Sequence, residues 1–108
     1  MRQLGVYCND EFVGVLTEAV PGKRYKFEYD SAWLAVGRAP VSVTLPMKGE
    51  AFESNELFPF FLNMLPEGAN RKMVCRANHI DEEDYFGILM AMADKDCIGA
   101  VNMRRMTL

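Results

Sequence analysis

Apolar and polar positions alternate with a period of two through the first part of the chain. Leu4, Val6 and Cys8 alternate with Gly5 and Tyr7, Asn9-Asp10 marks a turn, and the pattern resumes over residues 12–16. This predicts a β-hairpin. Pro21-Gly22 then interrupts the pattern. Beyond it, Tyr25, Phe27 and Tyr29 alternate with Lys26, Glu28 and Asp30, which puts aromatics on one face of a strand and charges on the other. Residues 31–36 read as one short helical turn carrying Trp33 and Leu34. Pro40 ends that turn, and Val41, Val43 and Leu45 predict a fourth strand that stops at Pro46.

The spacing then turns helical. Leu57, Phe61, Met64 and Leu65 recur at i, i+4, i+7 and i+8, one face of a helix for which Ser54 is the candidate N-cap. Pro59 is tolerated only in the first turn, where its missing N–H has no intrahelical partner, so the regular helix is expected to start near Glu56. It stops at Pro66-Glu67-Gly68, since proline cannot continue a helix and glycine accepts the left-handed backbone that ends one. Asn70 is the expected cap of a second helix, with Met73, Val74, Ala77 and Ile80 on its apolar side and Arg71, Lys72 and Arg76 in water. Asp81 is the expected cap of a third. Glu82, Glu83 and Asp84 would fill its first turn, complementing the helix dipole, and Tyr85, Ile88, Leu89 and Met92 would form its buried stripe. Asp94-Lys95-Asp96 reads as a turn, and Gly99-Ala100-Val101-Asn102-Met103 as a last strand returning to the sheet. Strands first and helices later predict an α+β domain, a small antiparallel sheet of about five strands packed with about three helices.

The 108 residues imply a single domain over 1–108, and a hydrophobic fraction of 50% implies a real core. The net charge of −3 and a pI near 5.1 argue against a nucleic-acid binder that works through a basic face. The three cysteines, Cys8, Cys75 and Cys97, form no Cys-x-x-Cys and are expected to be reduced core thiols of a cytoplasmic protein. No leader peptide is expected, and no apolar run approaches the ~20 residues of a membrane-spanning helix.

Catalytic patterns are not found. His79 is the single histidine, which leaves a hydrolytic triad without parts, and it reads as a helix-end residue rather than a metal ligand. The glycines do not form a phosphate-cradling loop, and the acidic run at 81–84 reads as a helix start rather than an acid/base pair. No metal or cofactor is expected. The eight methionines lie mostly in helical apolar patterns and read as core filler. Trp33 is either a lid over the core or a binding anchor.

Five motifs in order carry a family resemblance. They are Val13-Gly14-Val15-Leu16-Thr17; Phe27-Glu28-Tyr29-Asp30 followed by Trp33-Leu34; Pro40-Val41-Ser42-Val43-Thr44-Leu45-Pro46; Leu57-Phe58-Pro59-Phe60-Phe61-Leu62-Asn63-Met64-Leu65-Pro66-Glu67-Gly68 with Arg71; and Asp96-Cys97-Ile98-Gly99-Ala100-Val101. Together they resemble the N-terminal subdomain of the HipA-type serine/threonine kinase toxins, almost end to end. Full-length members of that family continue into a kinase core holding every catalytic residue. No catalytic residue of the family maps onto this chain, so the resemblance implies the non-catalytic part.

Free-standing relatives resemble the small antitoxin subunit, HipS-like, of split tripartite systems. That subunit binds and neutralises a shortened HipT-like kinase, and a HipB-like helix-turn-helix protein completes the set. The resemblance therefore implies an antitoxin-type interaction protein with a HipA-like kinase as partner, or alternatively a structural lobe that the kinase requires. Direct operator binding is disfavoured by the acidic pI. The candidate contact residues are Leu65, Pro66, Glu67, Gly68, Ala69, Asn70 and Arg71, with Trp33. The same turn would equally suit a connector between two helices with no partner.

Overall fold

The computed structural model describes residues 2–8, 11–36, 49–93 and 101–105. In chain order the elements are β1 (Arg2–Cys8), β2 (Glu11–Val20), β3 (Arg24–Tyr29), α1 (Ser31–Val36), β4 (Phe52–Ser54), α2 (Pro59–Leu62), α3 (Gly68–Asn78), α4 (Tyr85–Met92) and β5 (Val101–Arg105). The five strands form one antiparallel sheet in the order β4-β3-β2-β1-β5, with the last strand beside the first. The class is α+β as the pattern predicts, with four described helices where about three are expected.

The sheet register explains why the alternating residues make a core. Leu4 pairs with Leu16, Leu16 with Phe27 and Phe27 with Phe52, so this row of apolar side chains lies on one face. In the next row Met103 pairs with Val6, Val6 with Gly14 and Gly14 with Tyr29. Helices pack on that face: Phe61 of α2 lies 5.6 Å from the Phe27 ring, and Phe86 of α4 stacks on Tyr25 at 6.4 Å. Leu4, Val6, Leu16, Phe27, Phe61, Phe86 and Ile88 are fully buried, and at about 1.5–3 kcal/mol per buried large apolar side chain they dominate the stabilisation.

Pro21-Gly22 forms the β2–β3 turn. Lys23 N–H donates to the Val20 carbonyl at 3.0 Å and Gly22 takes φ +68°, as the third residue of a type II turn requires. Gly14 is required by close approach, because a Cβ there would meet the Glu28 carbonyl and lie 3.0 Å from Tyr29 Cα.

Several boundaries differ from expectation. The helix expected from Ser54 or Glu56 is the single turn Pro59–Leu62, with Phe58 at the N-cap and Pro59 at N1. Ser54 instead ends β4, a strand absent from the sequence reading, and its Oγ accepts from Glu56 N–H at 3.2 Å in a turn. α3 starts at Gly68 with Glu67 as N-cap, so Asn70 lies inside the helix. α4 is capped by Asp84, not Asp81, through Gly87 N–H to Oδ1 at 3.1 Å, and Glu82 and Glu83 precede the helix. Its buried stripe is broader than expected: Phe86, Gly87 and Ala91 are buried with Ile88 and Leu89, whereas Tyr85 and Met92 are half-buried. Met73 and Ala77 face solvent, and Cys75 is the buried residue of α3. The expected strand over 41–45, the turns at 9–10 and 94–96, Cys97 and the start of the last motif lie outside the described residues.

Candidate functional site

The segment between α2 and α3 is built from both ends. Phe58, Phe61 and Leu65 are buried and anchor its first half in the core. Met64 N–H donates to the Phe61 carbonyl and Leu65 N–H to that of Leu62, both at 3.1 Å, so the turn tightens before Pro66 halts it. Gly68 takes φ +56°, the left-handed conformation read from the sequence, but at the start of α3 rather than at the end of α2. Asn70 N–H closes on the Glu67 carbonyl at 3.2 Å.

Arg71 holds the segment in place. Its Nε donates to the Pro66 carbonyl at 3.0 Å, and its guanidinium lies 5.7 Å from the Tyr85 ring centroid. Leu65 is buried, Pro66 and Arg71 are half-buried, and Glu67, Gly68, Ala69 and Asn70 are exposed. The structure therefore brings Leu65 to Arg71 together as one fixed surface turn, whose outward side is Glu67 to Asn70. Trp33 sits apart from that turn in chain position, on α1, which packs against β2. It is 6% exposed and belongs to the core.

The exposed turn continues onto the outward side of α3. Ala69, Lys72, Met73, Arg76 and Ala77 line one shallow groove there. Sequence reasoning assigned Met73 and Ala77 to the core. The i, i+4, i+8 spacing of Ala69, Met73 and Ala77 is a signal for a second apolar line, but periodicity alone does not say which line faces α4.

An ion-pair cluster stands at the N-terminus of α4, where Asp84 directly precedes the Tyr85 that Arg71 covers. Arg2, Glu18 and Tyr25 occupy one cross-strand row of β1, β2 and β3. Arg2 Nε donates to Glu18 Oε1 at 2.7 Å, while Nη2 and Nη1 donate to Asp84 Oδ1 and Oδ2 at 2.7 and 3.2 Å. The guanidinium also lies 5.3 Å from the Phe86 ring centroid. The Arg2 hydrogen bonds hold the Asp84 carboxyl below its ordinary range, against the opposing effect of burial. Hydrogen bonding to Asp84 raises Arg2 in turn. Burial, with the Glu18 carboxylate beside it, pushes the Tyr25 hydroxyl up. The cluster pins the N-terminus of α4 to the sheet. It escaped sequence reading because Arg2 and Asp84 are far apart in the chain.

Cys75 is buried in the core, and that burial pushes its thiol up. His79 ends α3 in the left-handed conformation, φ 55° and ψ 48°, its N–H donating to the Cys75 carbonyl. Among the described residues no group of three or more His, Cys, Asp or Glu is placed to hold a metal ion. No helix among them is long and apolar enough to cross a membrane. The arrangement offers a fixed turn and a helix face for contact.

Comparison with known proteins gives a consistent set of matches. A family model described as the HipA N-terminal domain matches residues 4–104. The chain is 30% identical over 104 residues to an uncharacterised protein of Haemophilus influenzae, covering 96% of this chain and 92% of that protein. It is 31% identical over 104 residues to the putative kinase Y4mE of Sinorhizobium fredii, covering 95% of this chain but only 24% of that protein. Among solved structures it is similar to the N-terminal domain of HipA toxin, with a TM-score of 0.74 at 28% identity, covering 99% of this chain and 94% of that one.

Proposed function

The chain belongs to the HipA N-terminal domain family, and on that premise we propose that it is an antitoxin-type interaction protein that binds and neutralises a partner HipA-like serine/threonine kinase toxin. One observation carries this reading. The domain matches nearly the whole of one small relative and only 24% of another, a putative kinase. A domain found both by itself and attached to a kinase is suited to engage the kinase portion as a separate partner. In this reading residues 1–108 act as one domain that performs no chemistry of its own. It works in the cytoplasm, and it reaches a helix-turn-helix DNA-binding protein only through the kinase complex.

The contact side is the turn Leu65 to Arg71. Its backbone is held by the Arg71–Pro66 hydrogen bond, so Glu67 to Asn70 meet a partner with little ordering cost. A stable complex buries roughly 800 Å² of each partner. Trp33 is enclosed in the core.

A second reading is favoured by the match to the putative kinase: a structural lobe that the kinase needs in order to fold or act. Co-expression with a HipA-type kinase from the same genome separates the readings. Relief of toxicity, co-purification and lost kinase activity support the antitoxin. A gain of activity supports the lobe. Unrelieved toxicity without co-purification removes both.

A further inference from the structure

Among the described residues, the side-chain hydrogen bond that reaches the backbone of the contact turn comes from Arg71, whose Nε donates to the Pro66 carbonyl. No carboxylate among those residues pairs with this guanidinium. Its orientation therefore depends on the Tyr85 ring, whose centroid lies 5.7 Å from Cζ, within the range of a cation–π contact. Both side chains are half-buried, so water shields the contact only in part.

Tyr85 is itself fixed in place. It is the first residue of α4, directly after Asp84. Asp84 caps that helix through Gly87 N–H and accepts two hydrogen bonds from the Arg2 guanidinium on β1. The contacts thus run without a gap from the sheet through Asp84, Tyr85 and Arg71 to the Pro66 carbonyl. The core of α4 is filled by Phe86, Ile88 and Leu89, which leaves the half-buried Tyr85 ring at the layer's edge, under Arg71. A surface segment with few buried contacts opens locally at low cost. A partner that binds only the closed turn then sees an affinity reduced by the fraction of molecules in which it is closed.

We propose that Tyr85 is a positioning residue for kinase binding. Its ring holds the Arg71 guanidinium where Nε reaches the Pro66 carbonyl, and so keeps Glu67 to Asn70 in the conformation that the kinase meets. The proposal rests on the kinase-binding reading above and names a residue outside the contact turn on which that binding depends.

The test uses the full chain and a HipA-type kinase from the same genome, with affinity read by biolayer interferometry. Amide hydrogen exchange of the free chain reports the turn. Tyr85→Leu is expected to speed exchange at Asn70, whose N–H closes on the Glu67 carbonyl, and to weaken binding about threefold to fivefold, the range of one partly shielded cation–π contact. Tyr85→Phe, which restores the ring, should recover both readings. Arg71→Ala is expected to weaken binding at least as much, and adding Tyr85→Leu to it should weaken binding no further, since the ring acts through the guanidinium. Thermal melts check folding; if Tyr85→Leu melts early, Tyr85→Met carries the comparison. Affinity that loss of the ring leaves unchanged overturns the proposal while the proposed function stands. Weakened binding with unchanged exchange, or losses from Tyr85→Leu and Arg71→Ala that add in full, also overturns it, because Tyr85 then touches the kinase itself. Absence of wild-type binding overturns both readings.

Discussion

Replacing Arg2 with methionine tests whether the ion-pair cluster fastens α4 to the sheet. The guanidinium lies between Glu18 and Asp84, with three hydrogen bonds between 2.7 and 3.2 Å. Glu18 is 1% exposed; without Arg2 its carboxylate keeps only the Gly22 N–H at 3.3 Å and the Tyr25 hydroxyl. Removing one partner of a fully buried pair costs ~3–5 kcal/mol. The Arg2 and Asp84 side chains are 33% and 35% exposed, so water screens that half of the cluster, and Asp84 retains its cap to Gly87. The expected loss for Arg2→Met is therefore ~2–3 kcal/mol at pH 7. Urea unfolding followed by far-UV circular dichroism would show the midpoint falling by about 1–2 M. Adding Glu18→Gln, which removes the stranded charge, should restore about 1 kcal/mol or more. A loss below ~0.5 kcal/mol for Arg2→Met would refute the claim that this pair holds α4, because that is the level of an ordinary surface substitution.

Further outcomes follow from the same geometry. Asp84 is held below its ordinary range in the folded state, so its contribution is fully present above the unfolded value of about 3.9 and is lost as pH falls through the folded value. The stability gap between wild type and Asp84→Asn should hold from pH 7 to 5 and close below pH 4 in urea titrations. Gly14→Ala drives a Cβ into the Glu28 carbonyl and should cost ~2–4 kcal/mol, or prevent folding, by the same assay; a neutral result would contradict the β2–β3 approach. His79→Gly relieves a left-handed non-glycine C-cap and should raise stability by about 0.5–1 kcal/mol, seen as a higher melting temperature.

Period-two alternation was the most legible signal in the chain, because it reports burial directly. Tyr25, Phe27 and Tyr29 land in the core at 4%, 0% and 3% exposure. Pro21-Gly22 was legible for a local reason, since few residues other than glycine accept φ +68°. Helix starts were not, because local chemistry there is degenerate. Asp81 and Asp84 are near-equivalent as caps, and Arg2, distant in sequence, stands against Asp84. Ser54 was misassigned because a serine that caps a turn looks like one that caps a helix. The candidate turn was legible through Pro66 and Gly68. Its extension along α3 was not, because Met73 and Ala77 fit an inward and an outward stripe equally well until α4 is placed.

The most direct test of the central claim is the activity of a HipA-type kinase from the same genome, measured as phosphate transfer from ATP with increasing amounts of this full chain. A stoichiometric complex in size-exclusion chromatography and a fall in activity that saturates at equimolar ratio are expected. Unchanged activity with no complex at micromolar concentrations would contradict that claim, and a rise in activity on complex formation would replace the antitoxin with a required lobe.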